Sequence, residues 1–150
     1  MRIGLVSDTH GLMRPEALRA LRGADVIIHG GDVGTPAVLE ALRAIAPRVV
    51  AVRGNNDRGA WARGLGEVVT LELEGRSVHV LHDLHELAPN VEADVVVSGH
   101  SHKPLVREEN GTLYVNPGSA GPRRFSLPIC VAWLTLTPGR RPRARLVHLA

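Results

Sequence analysis

Metal-capable side chains follow one apolar run after another along this sequence. Asp8 and His10 come after "RIGLV", Asp32 after "DVIIH", and Asn55 after "RVVAV". His82 follows "VHVL", and His100 and His102 follow "ADVVVSG". Carboxylate oxygen, amide oxygen and neutral imidazole together suit manganese, iron, cobalt, nickel or zinc. Seven such groups are too many for one ion that keeps a position open for substrate. They suit two ions if Asp32 bridges them, at a separation of about 3.5–4 Å as in paired-metal hydrolysis. Asp8 and His10 stand two residues apart, as do His100 and His102. In an extended segment such pairs point to the same side, so each pair is expected to reach one small volume.

Each residue also has a plainer reading when taken singly. Asp8 and Asp32 are the residue type that caps helices, Gly31 and Gly54 suit ordinary turns, and His82 suits a hydrogen-bonded core position. Caps, however, do not require a histidine two residues after Asp8. Nor do they require further donors at successive strand ends. Convergence favours a metal centre.

The elements that would position these groups are legible as an α/β pattern. "RIGLV", "DVIIH" and "RVVAV" read as strands. Between them lie helical patterns, "RPEALRALRG" with Pro15 in its first turn and Gly23 at its end, and "TPAVLEALRAI" with Thr35 as N-cap and Pro36 at N1. This βαβαβ order predicts parallel strands with helical crossovers, and sites in such sheets form outside the carboxyl ends of the strands. After Gly66 the pattern alternates, with hairpin turns at Glu74-Gly75, Asn110-Gly111 and Pro138-Gly139. The pattern predicts one mixed α/β domain over residues 1–150, parallel at the start and antiparallel at the end.

Composition excludes several classes. A length of 150 residues with 44% hydrophobic and only 3% aromatic residues calls for a single aliphatic core. No apolar run approaches the roughly 18 residues of a membrane span, and "MRIGLVSDTH" turns polar too early for a secretory signal. A cytoplasmic protein without a membrane partner is expected. The one cysteine, Cys130, sits in an apolar run and reads as a core residue, so neither disulfides nor thiolate clusters are expected. The net charge of +3 allows a nucleic-acid partner without requiring one. The arginine run Arg140, Arg141, Arg143 and Arg145 reads as a solvated hairpin, with no aromatic stacking platform beside it.

The motifs also carry a resemblance. "SDTHG", "HGGDV", "GNND", a strand-end histidine, "SGHSHKP" and "VNPGS" stand in the order found in calcineurin-like metallophosphoesterases, most closely in their small phosphodiesterase branch. That branch also includes a retromer scaffold subunit. The resemblance runs from Ile3 to about Arg123. It implies a four-layer α/β/β/α sandwich of two mixed sheets flanked by helices, and a phosphodiesterase acting through a hydroxide that bridges two ions, manganese first among the candidates. By the same resemblance, Asp8, His10 and His102 would hold the first ion and Asn55, His82 and His100 the second, with Asp32 shared. His29 would act behind the ligands or serve as a buried strand residue. Asn116 belongs to a supporting "NPGS" turn, and Arg123 would either hold phosphate or lie on the surface.

Two departures from the family stand out. Asp83 replaces a glycine after the strand-end histidine, where a left-handed backbone is expected to burden the second ion site. His85 is then a substitute ligand or, more simply, a rim residue. Asn56 stands where many relatives carry a histidine that helps protonate the leaving oxygen. An amide cannot act as a general acid, a role worth about 10²–10⁴-fold, so a bias to esters with acidic leaving groups is expected. Asp57 is the alternative acid, or a hydrogen-bonding support. The partner expected is a small phosphoester substrate, and the assembly a homo-oligomer. A weakly active, metal-binding scaffold of the retromer type is the competing reading, although a scaffold has no chemical need for seven ligands.

Overall fold

The computed structural model describes residues 1–149. The first sheet contains β1 (Arg2–Val6), β2 (Val26–His29), β3 (Val49–Ala51), β9 (Ile129–Thr135) and β10 (Arg143–Leu149). Its order is β10-β9-β1-β2-β3. As the βαβαβ pattern predicts, β1, β2 and β3 are parallel. The crossovers are helices α1 (Pro15–Ala20) and α2 (Pro36–Arg43), both with proline in the first turn. Thr35 is extended, but its side chain makes no capping bond. The fixed φ of Pro36 starts that helix instead.

The second sheet contains β4 (Val68–Leu73), β5 (Arg76–Leu81), β6 (Val95–Val97), β7 (Leu105–Glu109) and β8 (Thr112–Asn116), in the order β4-β5-β6-β8-β7. The three expected hairpins are present. The later half is not purely antiparallel, however, because β5, β6 and β8 run parallel to one another. All three residues of β6 are buried, as in strands covered on both faces.

Two cores hold the layers together. Between the sheets lie Ile3, Leu5, Ile28, Val78, Val80, Val95, Val97 and Val115 with their neighbours. The other core joins the outer face of the first sheet to the helices. There Val38, Leu39 and Leu42 of α2 and Leu21 after α1 meet Val6, Ile27 and Val131. Each such aliphatic side chain contributes about 1.5–3 kcal/mol when fully buried. The fold is thus the expected α/β sandwich. Its layer beyond the second sheet is thin, with a 3₁₀ turn at Leu84–Glu86 and no α-helix among the described residues. No helix there is long and apolar enough to cross a membrane.

Parallel β1, β2 and β3, together with β5 and β6, end on one edge of the sandwich. All the candidate ligands leave from that edge.

Candidate metal centre

The chain turns sharply where these strands end. Asp8, His10, Asp32, His100 and His102 all have positive φ, between 47° and 70°. The expectation that extended backbone pairs Asp8 with His10, and His100 with His102, is therefore corrected. Left-handed residues fold the chain back on itself at the strand ends and aim the side chains together. Such conformations cost of order 1–3 kcal/mol each and persist only where the surroundings enforce them. Close-packed glycines make room for the turns. A Cβ on Gly99 would collide with Ser7 Oγ and Asp8 Oδ2, and one on Gly54 with the Asp32 carboxylate.

Two groups of donors converge. Asp8, His10 and His102 offer atoms within 4.8 Å of one another, and so do Asp8, Asp32 and His82. His102 Nε2 lies 3.4 Å from Asp8 Oδ1 and 3.4 Å from His10 Nε2. Two nitrogens about 2.1 Å from one tetrahedral ion would be spaced about 3.4 Å apart. Asp8 belongs to both groups, and Asp32 Oδ2 stands 3.3 Å from His82 Nε2 and 3.8 Å from His10 Nε2. His100 packs edge-on to His82 with ring centroids 5.2 Å apart. Asn55 is exposed and lines a cavity of about 350 Å³ together with His82 and His100.

Asp8 and His82 are held from behind. Asp8 Oδ2 accepts hydrogen bonds from Ser7 Oγ at 2.7 Å and His100 N at 3.0 Å, whereas Asp8 Oδ1 has no partner. His82 Nδ1 donates to Gly30 O at 2.7 Å, which leaves Nε2 as the free donor atom, the arrangement usual in metal-binding histidines. His82 Nε2 is also buried without a hydrogen-bond partner. His102 differs, since its Nδ1 is unpaired too. Leaving a buried polar group unsatisfied costs about 1–3 kcal/mol. Divalent cations fit these atoms: the donors are oxygen and imidazole nitrogen, they converge, and their other polar atoms are largely spent.

Electrostatics agree. Burial lowers the His82 pKa, but the Asp32 carboxylate, the Gly30 carbonyl and the charge of Asp8 override it and raise the value to about 9. Burial raises the Asp32 pKa, yet His82 and the Asn56 donors hold that carboxyl well below the usual range. Negative charge is concentrated here, and a cation is favoured between these side chains.

The remaining candidates lie around this centre. Asn56 binds Asp32 twice, through its backbone N–H to Oδ1 at 2.9 Å and its Nδ2 to Oδ2 at 3.0 Å. Asp57 is buried and accepts from Val33 N, Gly34 N and Gly54 N at 2.9–3.1 Å. With its oxygens committed to three amides it supports the turn, and its candidacy as the proton donor is corrected. His29 accepts from Gly31 N through Nδ1, while its Nε2 meets Thr9 Oγ1 at 3.0 Å. Thr9 donates its own proton to Val33 O, so His29 is neutral with the proton on Nε2. Burial pushes its pKa down to about 4. It is a strut behind the Asp8–His10 turn.

Asn116 donates to Gly99 O and Ser101 Oγ and accepts from Gly118 N, bracing the loop that carries His100 and His102. Arg123 is exposed and does not line the cavity that holds Asn55 and His82. Asp83 is not left-handed. Its φ is −111°, and its side chain accepts from His85 N at the start of the 3₁₀ turn. The expected backbone burden at this position is absent. Asp83 Oδ2 instead faces His100 Nε2 at 3.8 Å. His85 is a rim residue, with its side chain 95% exposed.

Sequence reasoning passed over Ser7 and Thr9, while Ser119 belongs to the expected supporting "NPGS" turn. Ser119 Oγ donates to Asp8 O, so all three hydroxyls fix the backbone or carboxylate of the Asp8 turn. Their one signal was position, since Ser7 and Thr9 flank Asp8 in "SDTH".

Comparison with known proteins adds an independent finding. The model of the calcineurin-like phosphoesterase superfamily domain matches residues 1–139. A probable metallophosphoesterase of Methanothermobacter thermautotrophicus is 35% identical over 143 residues, covering 85% of this chain and 82% of the relative. The phosphodiesterase YfcE of Escherichia coli is 30% identical over 148 residues, covering 79% of each chain. A solved structure of Vps29 from Entamoeba histolytica complexed with zinc superposes with a TM-score of 0.74 and 19% identity, covering 99% of each chain. That last likeness is one of fold.

Proposed function

Because this chain belongs to the calcineurin-like phosphoesterase superfamily, matched over residues 1–139, we propose that it is a phosphodiesterase dependent on two divalent ions. Asp8, His10 and His102 would hold one ion and Asn55, His82 and His100 the other, with Asp32 available to both. Manganese is the first candidate, ahead of nickel, iron, cobalt and zinc. When bound, two such ions supply an attacking hydroxide near neutral pH and neutralise charge on the phosphoryl oxygens.

The residues of the chain do the rest. The Gly30 carbonyl sets the His82 tautomer, and Ser7 with the His100 backbone turns Asp8 Oδ1 toward the centre. Asn56 fixes Asp32 from both oxygens. Asn55 offers an amide oxygen that ligates without adding charge. The Asn56 amide is committed to Asp32 and supplies no proton, so esters whose leaving groups depart unaided are the better substrates.

The observation that carries this reading is the pair of buried, unpaired donor atoms, Asp8 Oδ1 and His82 Nε2. The test is hydrolysis of bis(p-nitrophenyl) phosphate by protein loaded with manganese, nickel, cobalt or iron. Wild-type protein hydrolyses it with at least one of these ions, and Asp32→Ala abolishes the activity. An inert wild-type protein with all four ions would favour the scaffold.

A further inference from the structure

A second cavity, of about 390 Å³, adjoins the metal centre on the outer face of the second sheet. Leu84, Pro104, Leu105 and Tyr114 supply apolar lining, and Lys103 stands among its polar residues. It shares Asp83 and His100 with the polar cavity that contains Asn55 and His82. A group attached to phosphorus at His100 is therefore next to both cavities.

Two of the polar side chains in this lining are used up. Asn116 spends its amide on Gly99, Ser101 and Gly118, and Ser101 Oγ accepts from Asn116 and from Lys103 N. A ligand entering here gains chiefly from apolar contact. Leu105 is 37% exposed, a large aliphatic side chain left in solvent on an edge strand. The Tyr114 ring is half-buried, with the Arg107 guanidinium 5.4 Å from its centroid. The volume lies in the range of small-molecule sites, about 300–1,000 Å³, which are mostly apolar with few polar groups.

We propose that this cavity binds one ester arm of the phosphodiester substrate, an arm that is aromatic or of nucleobase size. The inference rests on the phosphodiesterase reading. It assigns specificity to Leu105 and Tyr114, neither of which reaches the metal donors. Continuity with the metal centre through His100 and Asp83 identifies the occupant as part of the substrate. The thin layer beyond the second sheet leaves the space open.

Binding of two phosphonates, which are not hydrolysed, tests the cavity apart from catalysis. Titration calorimetry on manganese-loaded protein compares phenylphosphonate with methylphosphonate. Phenylphosphonate binds about tenfold tighter, the usual scale of discrimination by an apolar pocket. Leu105→Glu and Tyr114→Ala, from β7 and β8, each reduce that preference to about twofold or less while secondary structure and metal content stay unchanged. The kinetic counterpart is the ratio of kcat/KM for phenyl p-nitrophenyl phosphate over methyl p-nitrophenyl phosphate, which falls in the same variants.

Equal affinities in the wild type, no binding of either phosphonate, or a preference that survives both substitutions would each overturn the proposal. Should Leu105→Glu change the oligomeric state and leave the preference intact, the face is a contact between copies and the proposal fails. Equal phosphonate affinities with both diesters hydrolysed would remove the subsite alone. A phosphonate preference erased by the variants, in a protein that hydrolyses neither diester, would support the subsite and remove the phosphodiesterase reading.

Discussion

Asn56 Nδ2 donates to Asp32 Oδ2 at 3.0 Å, and the backbone N–H of the same residue donates to Oδ1 at 2.9 Å. The residue that replaces the family's histidine is thus the main hydrogen-bond partner of the Asp32 carboxylate. Truncating it to Asn56→Ala removes the side-chain bond and frees Asp32 to rotate. Partners behind a metal ligand typically contribute 10–100-fold in metal affinity. Asn56→Ala should weaken manganese binding about tenfold, measured by calorimetry on metal-stripped protein. An unchanged affinity would mean that the bond does not position Asp32.

The same bond alters what Asn56→His can be expected to do. An alkoxide needs a proton as the P–O bond breaks, whereas p-nitrophenolate, whose conjugate acid has a pKa of about 7, does not. Wild-type rates should therefore fall steeply as the leaving group becomes more basic. Asn56→His should flatten that slope, but it also gives up the amide bond to Asp32. The comparison is a leaving-group series at saturating manganese with metal content measured alongside. Coincident slopes in fully metallated proteins would exclude position 56 as the site of the missing acid.

Asp57 yields a prediction about stability. Its carboxylate satisfies three backbone N–H groups from two different turns. Asp57→Ala leaves those donors without their acceptor, at about 1–3 kcal/mol for each that stays buried. Urea unfolding of metal-stripped protein should show a loss of at least about 3 kcal/mol. Asp57→Asn, which keeps one acceptor oxygen, should lose less. A loss below about 1 kcal/mol in Asp57→Ala would show that water replaces the bracket.

His29 makes stability depend on pH. Its folded pKa is about 4, against the usual histidine value of 6.5. Between those values the unfolded chain binds a proton that the folded chain does not, so stability falls as pH drops below 6.5 and levels off near 4. From pH 7.5 to pH 5 the loss from this group is about 2 kcal/mol. In His29→Gln, stripped of metal, the acid-induced loss should be smaller than in wild type by about that amount. Parallel stability curves for the two proteins would show that His29 titrates normally.

Much of the candidate site was readable because the type of each donor residue is written locally. Asp8, His10, Asp32, His82, His100 and His102 each follow an apolar run, and in the fold those runs are strands ending on one edge. Geometry was not readable in the same way. "SDTH" and "GHSH" suggest extended pairs by spacing alone, yet Asp8, His10, His100 and His102 are left-handed. At Asp8 that conformation is supported by packing against Gly99 and Ser119, each more than ninety residues away in sequence. Asp83 shows the converse, since a family glycine suggested left-handed backbone where the 3₁₀ turn produces an extended residue. The parallel pairing of β5, β6 and β8 was obscured because β6 is only three residues long. A run that short carries almost no periodicity.

The most direct test titrates metal-stripped protein with manganese while following hydrolysis of bis(p-nitrophenyl) phosphate. Two equivalents should bind per chain, and activity should appear only as the second is taken up. His10→Ala and His100→Ala, each missing a proposed ligand of a different ion, should bind one equivalent tightly and stay inactive at that stoichiometry. Full activity in the metal-free protein, or no activity after two equivalents have bound, would contradict a two-ion phosphodiesterase.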